Sequence, residues 1–312
     1  MKIAVVGCGA VGSYYGARLA RAGHNVHFLL RSDFDAVSRD GVEIRTPSGT
    51  FRVKPFPAKT SQEIGVCDLV LVALKTTANA KLDALVRPLL GDHSVALTLQ
   101  NGLGNEDALA RVANPSQVMG GLCFVCLNRI APGIILHLAH GQVVLGDFLP
   151  RDGSRRENLT RLLEAAGIPC RPTTNLAQAR WEKLVWNIPF NGLGVASAAG
   201  LEALLSGEAA LSPIQPCMTT DQLIADPQWE RLIRELMAEV ILAARAQHLP
   251  LSDDLIERQL NLTRNMGPYK ASTLLDFELH RPLELESMFL EPLRRAKAAG
   301  ANVPRLEMLC RV

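Results

Sequence analysis

A short, mostly apolar run at Lys2–Val6 ends in Gly7, and a helical pattern over Val11–Ala22 follows it, closed by Gly23 and His24. Val26–Leu30 is the next apolar run. A strand, a helix and a strand in such quick succession predict a βαβ unit and hence a parallel sheet. Val42–Arg45 and Phe51–Val53 flank Thr46-Pro47-Ser48-Gly49-Thr50 and predict a hairpin. Further strands are expected at Asp68–Leu74, Ser94–Leu99, Val118–Leu127, Ile134–Leu138 and Gln142–Leu145. Turns at Pro132-Gly133 and His140-Gly141 would join the last three. Helices are expected over Asn79–Leu90, Glu106–Val112 and Glu157–Ala166.

The texture changes near Arg171-Pro172-Thr173-Thr174. Beyond it helical patterns dominate: Ala177–Asn187, Pro227–Gln247, Asp253–Asn265, Leu274–Leu279 and Leu283–Ala299. The Ala-, Leu-, Ser- and Pro-rich stretch Leu201–Pro216 reads as irregular. This pattern places a domain boundary at about residue 173, giving domains 1–173 and 174–312. A length of 312 residues agrees with two domains.

Charge and cysteine content narrow the function. Lys and Arg total 33 against 31 Asp and Glu, a net charge of +2, which argues against a dedicated nucleic-acid binder. No apolar run is long enough to predict a membrane span. No targeting segment is visible, so the expected compartment is the cytosol. The seven cysteines are scattered, and only Cys123 and Cys126 lie close together, on a predicted strand where they point to opposite faces. No metal site is expected.

Gly7-Cys8-Gly9-Ala10-Val11-Gly12 is a G-x-G-x-x-G sequence between a predicted strand and a predicted helix. That context makes it a dinucleotide-binding loop: Gly7 for the turn, Gly9 for close approach of a pyrophosphate, Gly12 for helix–strand packing. The first domain is therefore expected to be Rossmann-like with a mostly parallel sheet, and the second all-α, an α/β protein as a whole. The second strand ends in Leu29-Leu30-Arg31-Ser32. An acid there suits NAD, whereas Arg31 suits the 2′-phosphate of NADPH, and Ser32 can add a hydroxyl. Asp33 falls just past the expected acid position. Lys75 and Asn101 close two later strands, where ligands of such sheets bind. Asn101 also fits a plain turn residue before Gly102.

In the second domain, Lys183, Asn187 and Asn191 stand at i, i+4 and i+8, one helical face over ~12 Å. Lys and two Asn suit a small polar anion. Pro189 is expected to kink this helix.

Taken in order, Gly7-x-Gly9-x-x-Gly12, Arg31, Leu99-Gln100-Asn101-Gly102, Lys183-x-x-x-Asn187-x-x-x-Asn191, Ser272-Thr273-Leu274-Leu275-Asp276 and Arg281-Pro282-Leu283-Glu284 resemble the ketopantoate reductase (2-dehydropantoate 2-reductase) family. The resemblance implies NADPH-dependent reduction of 2-dehydropantoate to pantoate. It implies that Lys183 is the general acid and that Glu284 orients it. Ser272, Asn187 and Asn191 would hold the 2-oxo acid, and Lys75 and Asn101 would contact the cofactor and the closed site. On local grounds Ser272 also fits a helix cap, and Glu284 a solvated charge. The chain departs from the family at Tyr269-Lys270, where a polar Asn is common, and at Phe289-Leu290, where an Asn-Gly pair is common. Two other readings stay open: a reductase or dehydrogenase of another 2-oxo or 3-hydroxy acid, and a non-catalytic NADPH-binding sensor. The candidate assembly is a homodimer.

Overall fold

The apolar runs of the first part of the chain pair into one ten-stranded sheet. Its strands are β1 (Lys2–Val6), β2 (Asn25–Leu29), β3 (Val42–Thr46), β4 (Gly49–Val53), β5 (Phe56–Ala58), β6 (Leu69–Val72), β7 (Val95–Thr98), β8 (Val118–Ala131), β9 (Ile134–Asp147) and β10 (Cys170–Thr173). They lie in the order β4-β3-β9-β8-β7-β6-β1-β2-β5, with β10 paired to β9. Every pairing is parallel except β3–β4 and β8–β9. The computed structural model describes residues 1–206 and 215–312, which form two units, Met1–Leu176 and Ala177–Val312.

The central strands are apolar throughout because both faces are covered. Ile3, Val5, Leu69, Leu71 and Leu97 enter one core, while Ala4, Val6, Val70, Val72 and Ala96 enter another. Alternation along each strand assigns these two sets to opposite faces of the sheet. Helices α1 (Ala10–Arg21), α2 (Phe34–Asp40), α3 (Ser61–Ile64), α4 (Leu82–Val86), α5 (Asn105–Ala110) and α6 (Ser154–Ala165) accompany the sheet.

Two local expectations change. His140-Gly141 does not reverse the chain. Gln142 pairs with Phe124 and His140 with Val125, so Gly141 is an extra residue, a bulge within the continuous strand β9. His140 and Gly141 have φ of 63° and 130°, as such an insertion requires. The predicted helix Asn79–Leu90 is broken into a 3₁₀ stretch at Thr76–Lys81, the short α4, and a second 3₁₀ turn at Arg87–Leu89. Pro88 removes a donor in the last of these. The elements α2, β5 and β10 were too short to give a periodic signal.

The second unit is helical among its described residues. It contains α7 (Leu176–Ala196, which begins in the first unit), α8 (Leu201–Ser206), α9 (Thr220–Ala225), α10 (Pro227–Ala246), α11 (Asp254–Arg264), α12 (Ser272–Glu278), α13 (Glu291–Ala298) and α14 (Pro304–Arg311). The stretch expected to be irregular, Leu201–Pro216, begins with the helix α8, and its residues 207–214 lie outside the described residues. The helix expected from Leu283 starts later, as a π-helical turn at Glu286–Leu290 that runs into α13. Pro292 has no N–H with which to continue a regular ladder across that junction.

The largest correction concerns α7. It does not stop at Asn187 but continues through Pro189 to Ala196. Ile188, Phe190 and Leu193 around the proline are fully buried, and so are Trp181, Leu184 and Val185 one and two turns earlier. Packing on several sides holds the segment helical despite the lost bond.

Candidate functional site

Strands β7, β6, β1 and β2 are neighbours and parallel, in registers that align Val6 with Leu29 and with Val72, and Val72 with Thr98. Their carboxyl ends therefore share one sheet edge, which carries Gly7, Arg31, Lys75 and Asn101. From β1 the chain moves to β2 on one side and later to β6 on the other. The β1/β6 junction is thus the point at which strand order reverses, where ligands of open α/β sheets bind.

The three glycines differ in what surrounds them. Gly7 has φ +99°, and a Cβ there would lie 2.4 Å from the Leu74 amide nitrogen, so this turn presses against the end of β6. A Cβ at Gly12 would lie 2.2 Å from the Gly7 carbonyl oxygen, so α1 can start this close to β1 only with glycine there. Gly9 has nothing within 4 Å of such a Cβ. Gly9 therefore leaves open space at the N-terminus of α1, and no side chain caps that helix. Backbone N–H groups of Ala10 and Val11 are left for a phosphate. The residues present thus fit a dinucleotide pyrophosphate. Cys8 contributes backbone to this loop, while its thiol donates to the carbonyls of Val5 and Leu29. Burial first, and the charge of Asp33 second, push this thiol well above its ordinary pKa, so it stays protonated.

Sequence reasoning missed an amide chain behind this edge. The Thr98 hydroxyl donates to Gln100 Oε1 (3.0 Å). Gln100 Nε2 donates to Asn79 Oδ1 (2.8 Å) and to the Leu74 carbonyl (3.0 Å). Asn79 Nδ2 donates to Asn105 Oδ1 (3.1 Å), and Asn105 Nδ2 donates to the Asn101 carbonyl (2.8 Å). Asn105 is fully buried and Gln100 nearly so. The chain ties the loop after β6, which carries exposed Lys75, to the loop after β7, which carries half-buried Asn101. An Asn or Gln with all its bonds taken inside the protein holds its loop in one conformation.

At the end of β2, Arg31 is exposed, and its guanidinium has no partner among the described residues. Ser32 corrects an expectation: its hydroxyl donates to Asp33 Oδ1 (2.9 Å), so that proton is not available to a phosphate.

In the second unit, the unbroken α7 puts Lys183, Asn187 and Asn191 on one face. Lys183 is half-buried. Asn187 is only 7% exposed, and its amide has no partner among the described residues. The Asn187 amide is not among the buried polar atoms that lack a partner, so it is open to water or to a ligand. Asn191 is 2% exposed and already engaged. Its Oδ1 accepts from the Ser272 hydroxyl (3.2 Å) and from the Thr273 N–H (3.0 Å). Asn191 therefore caps α12 from another helix, and Ser272 is the first residue of α12 rather than its cap. The next residue, Gly192, admits Leu309 of α14 and Phe289 of the π-helical turn, to which a Cβ would come within 2.5 and 3.0 Å. Phe289, one of the two departures from the family, is therefore a core residue beneath α7. Lys270, the other, has its ammonium on both carboxylate oxygens of Glu278 at 2.8 Å. Glu284 is half-buried just before the π-helical turn, and its carbonyl accepts from Met288 N–H.

Two family models match consecutive parts of the chain: ketopantoate reductase PanE/ApbA over residues 3–150, and its C-terminal counterpart over residues 175–312. The chain belongs to the ketopantoate reductase family. A 2-dehydropantoate 2-reductase of Nostoc sp. PCC 7120 is 36% identical, over 99% of this chain and 92% of the relative. The crystal structure of 2-dehydropantoate 2-reductase from Geobacter metallireducens GS-15 is 43% identical with a TM-score of 0.90, covering 99% of this chain and 98% of the other. The corresponding structure from Methylococcus capsulatus is 32% identical with a TM-score of 0.85, covering 99% and 94%. A ketopantoate reductase fold thus spans both units, and among the described residues no helix is long and apolar enough to cross a membrane.

Proposed function

We propose that the protein reduces 2-dehydropantoate to pantoate with NADPH. The observation that carries this reading is the α7 face: Lys183 and a nearly buried, unpartnered Asn187, with Asn191 holding Ser272 in place. Family membership and the glycine loop support it. Residues 1–173 are the NADPH-binding domain in this reading and residues 174–312 the catalytic one.

NADPH, when bound, supplies the hydride. Gly7–Gly12 hold its pyrophosphate, Arg31 its 2′-phosphate, and Lys75 and Asn101 the region next to the reacting centre. As the substrate carbonyl becomes an alkoxide, the Lys183 ammonium stabilises the growing charge and gives up a proton to that oxygen. Glu284 orients Lys183. The Ser272 hydroxyl, which donates to Asn191 without substrate, would turn its proton to the substrate carboxylate on binding. We place the protein in the cytosol, with a homodimer as its assembly.

The test is NADPH oxidation on mixing with 2-dehydropantoate, compared with NADH and with other 2-oxo acids. Turnover of 2-dehydropantoate well above that of other 2-oxo acids is expected. A protein that binds NADPH but reduces no oxo acid would be a sensor instead. The same assay checks Arg31. Arg31→Ala is expected to weaken NADPH by about 1.5–3 kcal/mol, the worth of a charge-assisted bond, and to spare NADH. Equal weakening of both cofactors would remove the guanidinium from the 2′-phosphate.

A further inference from the structure

The end of β2 holds an acid as well as Arg31, and the two would act in opposite directions on a 2′-phosphate. Asp33 follows Arg31 by two residues and precedes α2. A carboxylate near this strand end accepts from ribose hydroxyls and repels a phosphate. Asp33, however, is 5% exposed and fully engaged. Its Oδ1 receives the Arg129 guanidinium, in a close ion pair, and the Ser32 hydroxyl. Its Oδ2 receives the Gly133 N–H at 3.2 Å. Burial alone would raise this carboxyl's pKa, but the bonds from Arg129, Ser32 and Gly133 together hold it below the usual range. Arg129 and Gly133 come from a distant part of the chain, the tip of the β8–β9 hairpin. The same edge carries a second cation: Lys59, just after β5, sits with Nζ 4.4 Å above the Phe34 ring. Leu30 N–H bonds the Ala58 carbonyl, so Lys59 and Arg31 lie on adjoining chain segments.

We propose that Arg129 determines cofactor choice as a positioning residue: by pinning and neutralising Asp33 against the β8–β9 hairpin, it withdraws the acid two residues after Arg31, which would favour NADH. Arg129 needs no contact with the cofactor for this. Without its guanidinium, Asp33 regains an uncompensated charge. It can then swing out to accept a ribose hydroxyl while repelling a phosphate in the same place.

This inference rests on the proposed use of NADPH, and one set of titrations separates the two. Dissociation constants for NADPH and NADH are measured by equilibrium binding on the wild type, Arg129→Met, and Arg129→Met/Asp33→Asn, with thermal unfolding of each. A wild type that binds the two equally overturns the cofactor reading, and this inference with it. With a wild type that prefers NADPH, the preference is expected to fall at least tenfold in Arg129→Met. It should return to within threefold of the wild type in the double variant, where no acid remains to be pinned. An unchanged preference in folded Arg129→Met overturns the inference, and so does a double variant that fails to recover it. If Arg129→Met does not fold, Asp33→Asn alone decides: it leaves nothing to pin, so it must keep the wild-type preference, and a tenfold fall overturns the proposal. Purely structural support by Arg129 would move the unfolding temperature and weaken both cofactors alike, leaving their ratio in place.

Discussion

Lys183→Ala is expected to lower turnover of 2-dehydropantoate by about 10²–10⁴-fold, the usual worth of a positioned general acid, with NADPH binding retained. The expectation follows from where the lysine stands. It occupies the polar face of a helix whose other faces are buried through Trp181, Leu184, Val185 and Ile188, so its backbone is fixed by packing that the substitution leaves alone. Arg31 and the glycine loop belong to the other unit, so cofactor affinity should be unaffected. Stopped-flow oxidation of pre-bound NADPH isolates the chemical step. A Lys183→Ala variant that reduces substrate at the native rate would remove the lysine from the proton transfer and leave the alkoxide to be protonated by water.

The second large effect concerns the substrate's own hydroxyl. 2-Oxoisovalerate lacks that hydroxyl together with the methylene that carries it, and a site built to bond a hydroxyl rejects an analogue lacking it by about 10⁴-fold in kcat/KM. The structure divides the two asparagines that could read it. Asn191 Oδ1 is committed to Ser272 and Thr273, whereas the Asn187 amide can both donate and accept. Asn187→Ala is therefore expected to narrow the gap between the two substrates. Asn191→Ala should instead cost about 0.5–2 kcal/mol of stability, as loss of a helix cap does, and raise KM for both substrates through Ser272. Comparable kcat/KM for the two oxo acids in the native protein would show that neither amide reads the hydroxyl.

Much of this arrangement was legible in the residues. The strand ends carrying Gly7, Arg31, Lys75 and Asn101 were readable because parallel, doubly buried strands give continuous apolar runs with abrupt polar ends. The Lys183/Asn187/Asn191 face was readable because helical spacing is local. What escaped was non-local. That α7 runs through Pro189 depends on packing by residues far along the chain. That Asn191 caps α12 joins positions 81 residues apart, and that Asp33 is held by Arg129 joins positions 96 apart. Ser32 escaped for another reason: its hydroxyl, read as open to a phosphate, is taken by its chain neighbour Asp33. A sequence displays which groups can donate and accept, but not which of them the fold has already satisfied.

The amide relay from Thr98 through Gln100, Asn79 and Asn105 to the Asn101 carbonyl has a consequence for inheritance and for engineering. Each amide in it gives with its nitrogen and receives with its oxygen, so the relay has a direction, and one apolar replacement orphans a donor on one side and an acceptor on the other. Asn79, Gln100 and Asn105 are therefore expected to drift together or not at all. Anyone transplanting the Lys75 loop into another scaffold would have to carry the Asn101 loop with it, because the two behave as a single exchangeable cassette.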